Sequence, residues 1–538
     1  MNKKSYFILL ISLAFPIILL GCSLNSEDKI VSSTANIEEK SDELILAIGS
    51  EPETGFDPTT GWGRYGSPLF QSTLLKRDNE LNIVNDLAVH YTISEDGLVW
   101  TVELRDDVMF LDGEPLTSAD VVYTFETAST SGSVIDLNNI SHVEAINEWT
   151  VQFSLKEAQS TFINSLINTG IVPKHAHGSD YAEKPIGSGP FKFVQWDKGQ
   201  QLIVKSNPKY YGEKSFFNKI TFLFLNEDAA YAAAKSGQVH MAAIPPAFSK
   251  QEVNGMRLEA LQSVDNRGVM FPFVTSGETT VEGYPIGNDV TADIAIRKAI
   301  NIAIDRQLLV EGILEGHGTP AYTVADGLPW WNPETTIEDA DIEAAKSILE
   351  EAGWVDINGD GILQKGSLNA EFVLMYPASD VTRQSLAIAV ADLIKPLGIN
   401  IIVEGKSWDD IQKQMYSNAV LFGWGSHDPI EIYNIYSSHT AGEGWYNTGF
   451  YSNPVVDDYL EKALSATDIE KSLEYWKKAQ WDEKTGFSAK GDAPWAWLVN
   501  LDHLYLVDVK LDIGQQRIQP HQHGWPVTDN ITEWKWLN

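Results

Sequence analysis

Hydrophobic residues in this chain switch repeatedly between two spacings. In "ELILAIGSEP", Glu43–Pro52, an apolar run ends in turn residues and predicts a strand. Trp100, Val102 and Leu104 alternate with polar neighbours and Asp112-Gly113 supplies a turn, so the stretch from Leu98 to Leu116 predicts a hairpin. Thr117 or Ser118, with Asp120 and the apolar spacing of Val121, Val122 and Phe125, marks a helix start. Alternation returns at Trp149–Leu155, "SFFNKITFLFL" predicts another strand, and "DAAYAAAKSGQ" is an alanine-rich helix closed by Gly237. Asp293 to Leu314 carries one strong amphipathic helical pattern, and "IEAAKSILEEAG" carries a second, capped by Gly353. "AEFVLMY" and "INIIVEG" predict strands on either side of the helix "SLAIAVADLIKPLG", which must bend or stop at Pro396. Helix–strand alternation of this kind is α/β architecture, and the chain shows no internal repeat.

The first forty residues follow different rules. Lys3 and Lys4 precede an apolar run from Tyr6 to Leu20, then Gly21 and Cys22. A basic start, an apolar stretch of about fifteen residues and a small residue before the cut describe a secretory signal over residues 1–21. The run is short for a membrane-spanning helix, which needs roughly twenty residues. "LLGC" resembles a bacterial lipobox, which implies a lipid on Cys22 and anchoring at the extracytoplasmic face of the cell membrane. Residues 22–41 are rich in Ser, Asn, Asp, Glu and Lys and read as a flexible tether.

Composition narrows the class of the body that follows. Cys22 is the only cysteine in 538 residues, so intrachain disulfides, thiol catalysis and thiolate metal sites are excluded. Lys and Arg number 39 against 74 Asp and Glu, a net charge of −35. That balance opposes nucleic-acid binding, which requires cations to neutralise phosphates, and docking on an anionic bilayer through a basic patch. At 43% hydrophobic residues, the chain has enough apolar surface for two or three domains.

"GWGSHDPIEIYNIYSS" places Ser426, His427 and Asp428 in a row. A catalytic triad converges on one point, whereas consecutive residues in extended chain face opposite ways. No other segment offers a nucleophile–base pair, so the chain does not read as an enzyme. "DINGDGILQ" starts like a calcium loop, but its twelfth position is Ser367 rather than a bidentate Glu, and it reads as a turn. "GFDPTTGWGRYG" lacks the Lys-[Ser/Thr] ending of a phosphate-binding loop and reads as cleft lining.

Several stretches together carry a resemblance. "LVWTVELRDDVMFLDGEPLTSADVVYTFE", "KPIGSGPFKFVQW", "VKSNPKYYGEK", "DIAIRKAINIAIDRQ" and "GFYSNPVVDDYLEKA" occur in order along nearly the whole body. They resemble the family 5 extracellular solute-binding proteins, the peptide/nickel group serving ABC importers. The resemblance implies an α/β, two-lobed periplasmic-binding-protein fold of the large type II form. It further implies a first lobe over 42–275 with a β-rich subdomain at about 75–185, a second lobe over 276–500, and a C-terminal return over 501–538. It implies no catalysis and no permanent cofactor. The expected partners are an ABC permease and ATPase, and the expected state is a monomer.

For the ligand, the resemblance leaves two candidates. Peptide-binding members carry an aspartate shortly after the equivalent of Trp424, to pair with the peptide's α-ammonium. Here Gly425, Ser426 and His427 follow, and Asp428 before Pro429 matches the family's structural turn. Neutral imidazole suits Ni²⁺, Cu²⁺ or Zn²⁺. His521 and His523 form a second candidate pair, since residues two apart in extended chain face the same way. The expectation is a nickel chelate, with histidine or another small chelator, held by His427, His521 and His523. Oligopeptide is the alternative, and the 17 tryptophans leave room for an oligosaccharide. Trp62, Arg64, Tyr65, Trp408, Trp424, Trp445 and Tyr446 are the expected cleft lining, with Arg64 facing a carboxylate. His175 and His177 follow Val172-Pro173-Lys174 in what reads as a surface loop and are discounted, and His240 reads as structural.

Overall fold

The strand Val99–Leu104 buries Trp100, Val102 and Leu104 and leaves the intervening positions partly exposed, as its alternation requires. Its partners differ from the expected hairpin. In the computed structural model, which describes residues 42–131, 135–522 and 524–537, it pairs antiparallel with Ala88–Ile93 and Thr150–Leu155. The Asp112-Gly113 turn closes a single bridge between Met109 and Pro115. With Ile140–Asn147 these strands form a four-stranded antiparallel sheet, packed by the helix Ser118–Thr130. That helix starts at Thr117 with a reciprocal capping box to Asp120. The signal segment, the tether, Cys22 and His523 lie outside the described residues.

Two larger sheets form the lobes. The first has seven strands, in the order Met256–Leu261, His503–Asp508, Met241–Ala243, Glu43–Ala47, Lys219–Leu223, Gln201–Ser206 and Phe191–Asp197. Glu43–Ala47 runs parallel to both its neighbours and the outer strands turn back as hairpins. The second has six strands, in the order Gly318–Pro320, Trp495–Leu501, Asn266–Met270, Ala419–Trp424, Glu371–Pro377 and Asn400–Lys406. Helices cover both faces of this sheet, which is why Trp495–Val499 is buried throughout rather than alternating.

The helical pattern over Asp293–Leu314 is two helices, Ile294–Ala303 and Arg306–Ile313. Asp293 and Asp305 each accept a backbone N–H at a helix start, and a second N-cap inside one apolar stripe breaks the axis without breaking the pattern. At Pro396 the helix Val381–Ile394 passes into one 3₁₀ turn, closed by Gly398 with positive φ.

The chain leaves the first sheet after Leu261 and enters the second at Asn266, ahead of the expected boundary at 275. It returns between Leu501 and His503. These crossings lie side by side: Ser263 Oγ donates to the Leu501 carbonyl, and Leu501 N–H donates to the Asp265 carbonyl. Two adjacent crossings between two packed lobes are the geometry of a hinge.

Candidate functional site

The strand Ala419–Trp424 points its C-terminal end at this hinge, and the loop that follows sits between the lobes. Gly425 allows the approach. Its φ is +146°, and a Cβ there would come within 2.3 Å of the Val264 carbonyl oxygen. Glu431, in the next helix, accepts the N–H groups of Gly425 and Ser426 at 3.1 and 3.0 Å. The His521 N–H donates to the Gly425 carbonyl at 2.6 Å, so the C-terminal segment reaches this loop from the first lobe.

On one side of the loop, His427 lines a cavity of about 380 Å³ with Arg64, Tyr65, Ser426, Arg77 and Arg517. The imidazole is buried, and neither ring nitrogen hydrogen-bonds to any described residue; Nε2 is fully enclosed. Burial, then the cations Arg517 and Arg77, hold its pKa well below the ordinary imidazole value, so the ring is neutral at pH 7. Arg77 Nη2 donates to the His427 carbonyl at 2.7 Å and to Asn164 Oδ1 at 2.5 Å, tying the loop to the β-rich subdomain. Arg517 donates to the Arg77 carbonyl and is ion-paired with Asp529. Beside His427, burial pushes the Asp428 and Glu431 carboxyls up to about 7.

On the other side, Asp265 is almost fully buried and gathers three cationic or imidazole partners. Arg267 Nη1 is ion-paired with Oδ1, His503 Nε2 lies 3.2 Å from Oδ2, and His521 Nδ1 lies 2.5 Å from Oδ1. Burial alone raises a carboxyl, but Arg267, His521 and His503 outweigh it and hold Asp265 well below the usual range. His521 is therefore engaged through Nδ1 by the hinge carboxylate, while His427 faces the arginine-lined cavity. Among the described residues, no group of three or more His, Cys, Asp or Glu is arranged to hold a metal ion.

The expected aromatic residues separate into two groups. Trp62 belongs to the first-lobe core: its ring packs edge-on against Phe56 and Trp525, and its indole N–H donates to the Pro68 carbonyl at 2.7 Å. That location corrects its assignment as cleft lining. Arg64 lies over the Tyr65 ring at 4.3 Å and donates to its hydroxyl, and Tyr65 meets His521 edge-on. Trp424 and Tyr446 pair at 6.2 Å, and Trp408 meets Trp445 edge-on at 5.5 Å, both of the latter partly exposed.

Sequence reasoning missed Asp265, Arg267, Arg383, Arg77 and Arg517. One signal was available for Arg267: a cation inside an apolar strand pattern, two residues after an aspartate. Arg77 and Arg517 meet across 440 positions, and no local pattern marks them.

The fold is that of a two-lobed solute-binding protein, with a cavity-lining loop at its hinge. The chain belongs to the family 5 bacterial extracellular solute-binding proteins, whose middle-region model matches residues 82–447. Protein XP55 of Streptomyces lividans is 33% identical over 494 residues, covering 88% of this chain and 86% of the relative. The oligopeptide-binding protein AppA of Bacillus subtilis is 27% identical over 508 residues, covering 88% and 90%. Among solved structures, NikZ from Campylobacter jejuni in complex with Ni(L-His) superposes with a TM-score of 0.78 at 27% identity, covering 92% of this chain and 99% of that one. Family 5 members are solute-binding proteins of ABC importers, which act with a permease and an ATPase, and not enzymes. No helix among the described residues is long and apolar enough to cross a membrane.

Proposed function

We propose that the captured ligand is a small chelate of nickel or a similar transition metal, closed between the lobes and passed to the permease. One observation carries this reading: His427 presents a buried, neutral imidazole, without a hydrogen-bond partner among the described residues, to a cavity of small-ligand size. A neutral ring with an unengaged nitrogen is the form in which histidine ligates a metal. Because no complete ligand set is assembled by the described residues, the chelator supplies most of the coordination. The likeness to NikZ bound to Ni(L-His) supports the same class of cargo. We further propose that the protein acts as a monomer on a lipid anchor at Cys22, at the extracytoplasmic face of the membrane, as the leader pattern implies.

The oligopeptide reading has its own support. Asp428 and Glu431, pushed up to about 7 by burial, are carboxyls that an incoming α-ammonium would ionise. AppA, named as oligopeptide-binding, is a relative along most of the chain. Calorimetric titration separates the two. Ni²⁺ with excess L-histidine should bind the purified protein, and His427→Ala should weaken it at least about tenfold, roughly 1.4 kcal/mol. Heat from a mixed peptide pool and none from the nickel complex would establish the peptide reading instead.

A further inference from the structure

Neighbouring strands of the first-lobe sheet bring charged residues into one line. Lys192, Lys205 and Lys219 stand directly opposite one another on Phe191–Asp197, Gln201–Ser206 and Lys219–Leu223, and Glu43 is the register partner of Lys219 on Glu43–Ala47. Residues paired across strands share a face of the sheet. Leu202, Val204, Ile220 and Phe222 fill the first-lobe core on the other face, so the lysine row points outward.

One of the three lysines is neutralised within the chain. Lys219 Nζ lies 3.0 Å from Glu43, whereas Lys192 and Lys205 have no ion pair among the described residues. The next row on the same face, Gln195, Ile203 and Thr221, carries no acid either. Like charges placed opposite one another destabilise a sheet. With 74 Asp and Glu to 39 Lys and Arg, counter-charges are plentiful in this chain, yet these two lysines go without. The fold gains nothing from such a row, and an anion from outside the chain would neutralise it.

The position of the row points to the source of that anion. The Asp42 carbonyl accepts the Asn218 N–H at 2.8 Å and the Lys219 N–H at 3.3 Å, so the chain enters the body at the end of this row. Residues 22–41 separate Asp42 from Cys22, and about twenty residues span at most roughly 70 Å. A lipid on Cys22 keeps this end of the first lobe near the bilayer, where a weak surface contact acts as an intramolecular one. Phe216, shortly before Lys219, is 49% exposed, and Val194, shortly after Lys192, is 43% exposed. Cations beside exposed apolar side chains suit the headgroup layer, where the former meet phosphates and the latter leave water. The net charge of −35 opposes approach of the body as a whole. At physiological salt, however, exposed charges act over only about 8 Å, so the residues nearest the surface decide the contact.

We propose that Lys192, Lys205 and Lys219 form a membrane-docking surface that binds the anionic phosphates of lipid headgroups. This rests on the lipid anchor at Cys22 and adds an orientation, with the lysine row of the first lobe turned to the bilayer.

The test reads the lysines themselves. The protein is purified from membranes and reconstituted into vesicles of phosphatidylcholine, with or without added phosphatidylglycerol, and the rate of acylation at each lysine is followed by peptide mass spectrometry. Lys192 and Lys205 should react at least about threefold more slowly when phosphatidylglycerol is present, and about 0.5 M salt should restore the rate. Lys471, in the second-lobe helix Ile469–Gln480, should react equally in both. Lys205→Gln should release the protection of Lys192 without lowering the urea midpoint, because it relieves a like-charge pair. The mass of the N-terminal peptide reports the lipid on Cys22. Its absence overturns the anchor and the docking together. Lipid present with equal rates in the two vesicle types overturns the docking alone. Slow acylation in detergent without vesicles would mean that a second copy of the chain covers the row, and a lowered midpoint in Lys205→Gln would make the row structural; either result overturns the docking surface.

Discussion

His427 and His521 flank the same short loop, and their surroundings are opposite. His427 has the cations Arg77 and Arg517 as its charged neighbours and neither ring nitrogen hydrogen-bonded to a described residue. His521 has Nδ1 committed to Asp265, which also holds His503 and Arg267. Residue type alone made these two equal candidates for a metal. Their neighbours set them apart. Burial holds both rings below the ordinary imidazole value, but His427 has neither ring nitrogen engaged by a described residue, whereas His521 Nδ1 is tied to the buried Asp265 carboxylate in a strut with His503 and Arg267. Asp265 lies at one chain crossing, His503 at the other and His521 on the C-terminal return, so the strut joins the three segments that meet at the hinge.

The most disruptive way to break this division is to remove its anion. Asp265→Ala leaves Arg267 buried without its counter-charge and His503 and His521 without their acceptor. Loss of one member of such a buried pair costs about 3–5 kcal/mol, read as a lowered urea midpoint. His427→Ala should move the midpoint far less, since it breaks no hydrogen bond to a described residue. If the two variants lose equal stability, the division between a strut and a ligand-facing ring fails. The Asp265 loss should also shrink in acid. Its carboxyl is held below the usual range, so its contribution is present above the unfolded value and lost as pH falls through the folded one.

How far the sequence revealed this arrangement differs between fold and site. Strands and helices were legible because period two and period 3.6 leave different spacings, and order along the chain carried the family. The split at Asp305 was hidden because the apolar stripe runs on through the second N-cap. The hairpin at Leu98–Leu116 misled because alternation marks a strand without saying which strand pairs with it. At the site, the Trp-Gly strand end and its histidine were legible as local words. The Asp265 hub was not, because its members come from positions 265, 267, 503 and 521 and meet only through the two crossings. Trp62 failed for a related reason: a tryptophan in a glycine-rich loop serves a core or a cleft equally well, and here Phe56 and Trp525 claim it.

A smaller perturbation sharpens the comparison from the strand itself. Gly423→Ala places a methyl against Arg267, Arg383 and, at 2.9 Å, the Asn266 carbonyl, which is backbone and cannot swing aside. Overpacking of this kind costs about 1–3 kcal/mol. The displacement acts on the Asp265 side, so the urea midpoint should fall in Gly423→Ala while the spectroscopic signature of nickel–imidazole ligation at His427 persists. Loss of both together would mean that the two sides of the loop move as one unit.

The gentlest test uses pH. Burial pushes Asp428 up to about 7, so between its unfolded value near 4 and about 7 the folded chain holds a proton that the unfolded chain has released. Folding stability supplied by that proton is present at low pH and lost as pH rises to 7, by up to about 1.4 kcal/mol per pH unit. His427 works the other way, because its pKa is lowered: below about 6.5 the unfolded chain takes a proton that the buried ring refuses, so this term gains as pH rises. Asp428→Asn keeps an oxygen for the Ile430 N–H and removes the titration, so its stability should rise relative to wild type as pH climbs from 5 to 7. His427→Ala should show the reverse trend over the acid half of that range. Urea midpoints of both variants at half-unit pH steps give the two slopes, and slopes of the same sign would contradict the assignment of a neutral imidazole beside a protonated carboxyl on this side of the loop.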